Sequence, residues 1–265
     1  WGAEPIPDLP PRIDAIVAQN VLAHVPDPTK FLAACADAMG PDTLLYIQTS
    51  QCDMLYNAEF DTVYHEHLSY FTVSSLVKIA ALTRLDIIDL TKTAIHGTSF
   101  LCTMRKAKGA VPLISDSCLR MLNAESAAGV HSDAFYINYM RRVIRFKSEL
   151  TRIVGEKKSQ GYKIIAYGAA AKGMTMMNFF DLSAVEYIVD DANMKHYLYT
   201  PGTNIQILPP EHLAQENPSV KLCIVVFAWN FLAEIKTKIK SILGAGGERA
   251  VVLVSPFPRL EVTNL

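Results

Sequence analysis

The chain has 265 residues, half of them apolar and 19% charged, with 25 Lys+Arg set against 26 Asp+Glu for a formal net charge of -1. That length exceeds the roughly 100 to 150 residues of a common single domain, so two compact units with well-filled cores are expected, and the composition is not that of a disordered chain. A near-neutral chain lacks the basic surface that tracks phosphate backbones, which excludes a general nucleic-acid binder and leaves small molecules and other subunits as partners.

The chain opens on Trp1 with no Met and runs almost at once into a strand pattern over Arg12 to Gln19, which points to an upstream segment. Asp27-Pro28 then opens a helical stretch carrying Phe31, Leu32, Cys35 and Met39, and after Gly40-Pro41-Asp42 the run Thr43 to Thr49 reads as a second buried strand. Strand, helix, strand implies a parallel sheet. Past an irregular stretch through Phe71, Ser74 to Leu82 has helical spacing, and Leu85 to Leu90 and Ser99 to Met104 read as two further strands, closing a first unit near Arg105. Residues 106–160 form a helical connector in which Phe135, Tyr139, Val143, Phe146, Leu150 and Val154 recur at steps of three and four along one face. Its arginines and lysines read as a solvated helix face. From Gly161 a second series begins, with strands at Gly161 to Tyr167, Val185 to Val189, Ile205 to Ile207, Lys221 to Phe227 and Arg249 to Val254 and helical patterns between most of them. This is a second doubly wound α/β unit, and such sheets collect ligands outside the carboxyl ends of their strands.

Cys35, Cys52, Cys102, Cys118 and Cys223 are odd in number, widely spaced and free of any CxxC pair, the pattern of reduced core thiols. No apolar run reaches the roughly 20 residues of a membrane span, so the expected location is the cytoplasm and no membrane partner is expected.

Three segments carry chemistry. In Asn20 to Pro28 (NVLAHVPDP), Asn20, Val21, Leu22 and His24 follow a strand's carboxyl end, where they are candidates for cofactor contact; a loop with a helix cap at Asp27 is the plainer alternative. In Glu59 to Phe71 (EFDTVYHEHLSYF), Tyr64, His65, Glu66 and His67 place four proton-exchanging groups in a row behind the acidic pair Glu59 and Asp61. Were the stretch extended, His65 and His67 would share one face, suited either to metal ligation with a third ligand such as His96 or to acid and base work. In Tyr167 to Gly173 (YGAAAKG), Gly168, Ala169, Lys172 and Gly173 put small residues and a lysine where a strand turns into a helix, the outline of a phosphate cradle that lacks the full GxGxxG and P-loop patterns. Asp190, Asp191, Trp229 and Asn230 follow other strands of the same sheet and can reach the same crevice; for Trp229 core packing is an equal alternative.

In this order the three segments resemble the nucleotide-sugar C-methyltransferases, which methylate a 4-keto deoxysugar at carbon 3. NVLAHVPD and FDTVYHEHLSYF are close to that family's strings, Ile95 to Ser99 (IHGTS) is similar to its IHGGS segment, and YGAAAKGMTMMNFF to its second signature, so the resemblance runs nearly from Pro10 to Pro258. It implies a class I methyltransferase domain, partial here, in residues 1–105, a Rossmann-like nucleotide-sugar-binding domain in 161–265, and S-adenosylmethionine as cofactor, with the nucleotide sugar held between the domains. It also implies His67 as base, Tyr64 and Glu66 as its catalytic companions, and His65 and His96 as substrate contacts. The family's cysteine-rich zinc module and Gly-rich cofactor loop have no counterpart in this sequence, and Gln48 stands where the family carries glutamate. Those departures give the expected function: a C-methyltransferase in N-terminally shortened form. The alternatives are a nucleotide-sugar-binding remnant without catalysis and a metal-dependent hydrolase built on His65, His67 and His96.

Overall fold

The computed structural model describes residue 10 and residues 12–50, 53–95, 97–180, 182–244 and 249–265. It has the α/β architecture expected, as two compact units that exchange a short piece of chain. One unit holds the residues up to Leu55 together with His65–Tyr139; the other holds Tyr56–Tyr64 together with Met140–Leu265.

In the first unit β1 (Ala15–Gln19), α1 (Pro28–Ala38) and β2 (Leu44–Ser50) form the expected strand, helix, strand, with β1 and β2 parallel. The short α2 (Met54–Asn57) follows, then α3 (Val73–Leu82), β3 (Leu85–Thr93), β4 (Ser99–Lys106) and α4 (Asp116–Ala127). The sheet order is β1-β2-β4-β3. Its parallel character, inferred above for the whole unit, is confined to β1 and β2; β4 runs antiparallel to both its neighbours. The reason is the connection: β3 and β4 follow each other through a short loop, which joins antiparallel strands, whereas a parallel pair needs a long crossover.

Leu45, Ile47, Leu85, Ile87, Leu90, Cys102 and Met104 of the sheet pack with Phe31, Leu32 and Cys35 of α1 and Val73, Leu76 and Ala80 of α3. Asp27 caps α1 by accepting the Lys30 amide at 3.0 Å, with Pro28 at the first helical position where its missing N–H costs nothing. Thr72 and Ser75 form a capping box at α3, and the buried Glu125 of α4 accepts two more α3 amides, Val73 at 2.5 Å and Ser74 at 3.1 Å. The interior has therefore satisfied the start of α3 with a carboxylate borrowed from another helix.

The long helix α5 (Asp133–Ser159) leads from one unit into the other, so residues 106–160 are shared out between the two with the change at Tyr139. The second unit continues with β5 (Tyr162–Tyr167), α6 (Ala171–Phe179), β6 (Tyr187–Val189), β7 (Ile207–Leu208), β8 (Lys221–Val226), α7 (Leu232–Leu243), β9 (Val251–Ser255) and β10 (Glu261–Asn264). Its order is β10-β9-β8-β5-β6-β7, parallel apart from β10. The chain starts at β5 and builds outward in both directions, so the topological switch point falls between β5 and β8, the place where ligands enter such sheets.

Among the described residues the thiols of Cys35, Cys102, Cys118 and Cys223 are free and buried, and burial pushes Cys35 and Cys118 each up to about 11. Cys52 lies outside the described residues. No helix among the described residues is long and apolar enough to cross a membrane.

Candidate functional site

In the first unit the chemistry gathers at the carboxyl end of β1. Asn20 leaves that strand with φ 53°, a left-handed conformation that asparagine tolerates better than most residues, and gives its amide to the Gln48 carbonyl at 2.9 Å. The turn that follows buries Leu22 and Ala23 while Val21 faces outward. It is tied to the histidine-rich segment by backbone bonds, the amides of Leu68 and Ser69 both reaching the Ala23 carbonyl at 2.8 and 3.2 Å.

This pairing brings His24 against His67, with ring centroids 4.8 Å apart and an interplanar angle of 51°. His24 Nδ1 lies 2.8 Å from the Glu66 carbonyl oxygen, so Nδ1 carries the proton and donates it, which leaves Nε2 of a neutral His24 as an acceptor. His67 is buried, 7% exposed, and its other ring neighbour is Tyr70, edge-on at 6.2 Å.

Residues 64–66 form a turn and not an extended strand, so His65 and His67 do not share a face: His65 and Glu66 are exposed where His67 is buried. Glu66 contributes its backbone carbonyl to His24, and Tyr64 belongs to the second unit. Beside this turn two buried amide atoms have no hydrogen-bond partner, Asn20 Oδ1 and Gln48 Nε2. One accepts and one donates, at the ends of adjacent strands, and unsatisfied buried polar atoms of this kind mark a place for a polar ligand.

In the second unit the strand-to-helix turn after β5 is built as its small residues require. Gly168 has φ 101°, and a Cβ there would stand 2.7 Å from the Ala228 side chain; a Cβ on Gly173 would stand 2.7 Å from the Gly168 carbonyl oxygen. The Gly168 amide bonds to the Val189 carbonyl at 2.8 Å and the Ala169 amide to Asp190 Oδ2 at 2.6 Å. Asp190 also accepts the Ala192 amide at 2.8 Å and faces Lys195 at 3.2 Å. Its carboxylate therefore stands where the cradle reading offered an amide to phosphate, and what α6 presents to a ligand is its remaining first-turn amides and Lys172. Asp191 is engaged by the Tyr167 hydroxyl, 3.1 Å from each oxygen, and by the Lys238 ammonium.

Lys172 points its ammonium over the Trp229 ring, 4.6 Å from the centroid, and lies 4.0 Å from Asp61 Oδ2. Trp229 is 7% exposed and donates its indole N–H to that same oxygen at 2.8 Å. The Trp229 ring packs near Phe257 at 5.7 Å while its indole N–H is given to Asp61. Asn230 Oδ1 is buried without a partner. Asp61, which in the sequence stands out only as half of an acidic pair with Glu59, is fully buried. The available signal was its place one residue after Phe60, whose ring sits among Phe179, Phe180 and Phe257 at 4.9, 5.1 and 6.1 Å and carries Asp61 inside with it.

His96 lies outside the described residues. Among the described residues no three His, Cys, Asp or Glu side chains gather as a metal site would need.

Residues 94–256 match the family model described as a C-methyltransferase C-terminal domain, and residues 3–90 match one described as a methyltransferase domain. The C-methyltransferase NovU of Streptomyces niveus is 27% identical over 244 residues, an alignment that takes in 91% of this chain and 57% of the relative. The chain thus spans a little over half the length of that protein.

Proposed function

The chain belongs to the C-methyltransferase family, and from that premise we propose that it takes part in methyl transfer from S-adenosylmethionine to a carbon alpha to the ketone of a nucleotide-linked keto-deoxysugar. The observation that carries this reading is the buried His67 imidazole packed, at a tilt, against a second imidazole whose tautomer is set by a backbone carbonyl. Carbon methylation beside a ketone requires removal of an alpha proton, and a histidine, titrating near neutral pH, is suited to that task. His67 takes the proton, the His24 ring braces it, and the two electrons of the broken C–H bond become the carbon nucleophile.

S-adenosylmethionine, when bound, supplies an electrophilic methyl on a sulfonium. Asn20 Oδ1 and Gln48 Nε2 are buried and unpaired and fit the polar edges of that molecule, so Asn20, Gln48 and the turn through Val21 and Leu22 are the residues of this chain that would hold it. In the second unit Lys172 and the start of α6 hold the diphosphate, Gly168 and Gly173 keep the turn close enough to the helix, and Asn230 offers an unused acceptor to the nucleoside or sugar.

Incubating the protein with S-adenosylmethionine and a dTDP-4-keto-deoxysugar should yield a sugar nucleotide heavier by one methylene unit, with loss of deuterium from the alpha carbon of a labelled substrate. Methylation with the alpha deuterium retained would reject base-catalysed transfer to that carbon.

A further inference from the structure

Asp61 is fully buried, yet it is poorly provided for. Oδ2 has the Trp229 N–H at 2.8 Å and the Lys172 ammonium at 4.0 Å, while Oδ1 is buried without any partner. A buried carboxylate is ordinarily secured by several donors, because leaving a charge short of them is costly. Lys172, by contrast, keeps 18% of its side chain exposed. Of the two groups, Lys172 is therefore the one that a solute can approach, with Asp61 wholly enclosed.

We infer that Asp61 is the built-in counter-ion of the anion site, so that an anionic ligand taking Lys172 drives a proton from solvent onto Asp61 Oδ1. The inference rests on the reading of Lys172 as a diphosphate contact. Two anions sharing one cation repel, and protonating the one with an unused oxygen relieves the repulsion. Burial pushes the Asp61 carboxyl above its usual range, opposed by Lys172, by the Trp229 bond and by the backbone amides of Asp61 and Thr62; a ligand that draws the ammonium away removes the first of these opposing contacts.

Among the described residues, the elements around it carry the following charged groups. The turn Phe60–Thr62 packs on α6, which presents Lys172, and on the Trp229 turn. Glu59, on the same segment, takes the Asn57 amide. On α5, Arg142 donates to the Tyr56 carbonyl and Lys147 to the Phe179 carbonyl.

The experiment is titration calorimetry of the protein with pyrophosphate and, separately, with dTDP, in buffers of different ionisation heat at several pH values between about pH 5 and about pH 8. The wild-type protein should take up more protons per ligand than D61N, whose count gives the ligand's own contribution. D61N should also bind the anion tighter by roughly threefold to thirtyfold at neutral pH, as one nearby like charge is gone. Equal proton counts, or a D61N protein that melts like wild type and binds more weakly, would overturn the role of Asp61 while leaving the diphosphate reading standing. No binding of either anion, or K172A binding as well as wild type, would overturn both. Sulfate, which does not titrate in this range, gives the proton count on the wild-type protein alone should D61N fail to fold; a buffer-independent heat with sulfate would reject the counter-ion role.

Discussion

His67 combines 7% exposure with an imidazole neighbour at 4.8 Å, and no other described histidine has that setting. Replacing it with Asn or Ala should cost about 100- to 10,000-fold in methyl transfer, the usual worth of a general base, while nucleotide-sugar affinity stays nearly constant. Steady-state turnover beside equilibrium binding checks this, and unchanged turnover would move the role to Tyr64 or Glu66. Gly168 makes a different demand, since its φ of 101° and the Ala228 contact both exclude a side chain. Gly168→Ala should lower stability by more than about 1 kcal/mol. A urea midpoint equal to that of the wild type would show that the turn relaxes.

The motifs of both residues could be read in the sequence because their types are unusual where they stand. The partners could not. His24 meets a residue 42 positions away and Asp61 one 168 positions away, and short-range pattern holds no information on such distances.

Among the elements, α3 depends on Glu125 for two of its first amides. Glu125→Ala should destabilise the first unit by about 1 to 3 kcal/mol, the cost of leaving buried donors unmatched, as read in thermal or urea unfolding. Another carboxylate ties the second sheet together: Glu216 accepts from Lys163 of β5 at 2.7 Å and from the Tyr187 hydroxyl of β6 at 2.9 Å. Burial works against its charge, but these two partners prevail and hold it below the usual carboxylate range. A carboxyl lowered on folding contributes stability that is present above its unfolded value and is lost as pH falls through the lowered one. Glu216→Gln should therefore be less stable than wild type at neutral pH, with the difference closing in acid. A gap that is constant with pH would remove the linkage.

The strands that were foreseen, such as β2, β5, β8 and β9, are runs of apolar and β-branched residues buried on both faces. β10 went unseen because its residues Glu261 to Asn264 are mostly exposed and its place is set by pairing with β9 alone. β7 is two residues long and sits at Ile207–Leu208, past the Ile205 where its pattern began, since those two residues are the ones in register with β6.

At the scale of the whole molecule, the division into two units was foreseeable from two rounds of alternating strands and helices. The exchange of Tyr56–Tyr64 was not, for nothing in EFDTVY distinguishes a loop of one unit from a strap of the other. Phe60 fixes that strap among Phe179, Phe180, Phe257 and Phe146. Phe60→Ala should cost about 3 to 5 kcal/mol, as for other buried phenylalanines, and the loss should register in the second unit through Trp229 fluorescence. A first unit that melts early while the Trp229 signal holds would contradict the assignment of the strap.

The exchange also sets an order in time when the chain is made. Asp61 leaves the ribosome 168 residues ahead of Trp229, the indole it binds. At about 5 to 20 residues per second that is a wait of roughly ten to thirty seconds, during which Asp61 lacks the indole N–H that it accepts. The first unit takes in Leu55 and His65 but not the chain between them, so the strap has to wait until Trp229 has emerged. A ribosome stalled before Trp229 should therefore carry a first unit resistant to protease and a strap that is cut between Tyr56 and Tyr64; release of the finished chain should protect it.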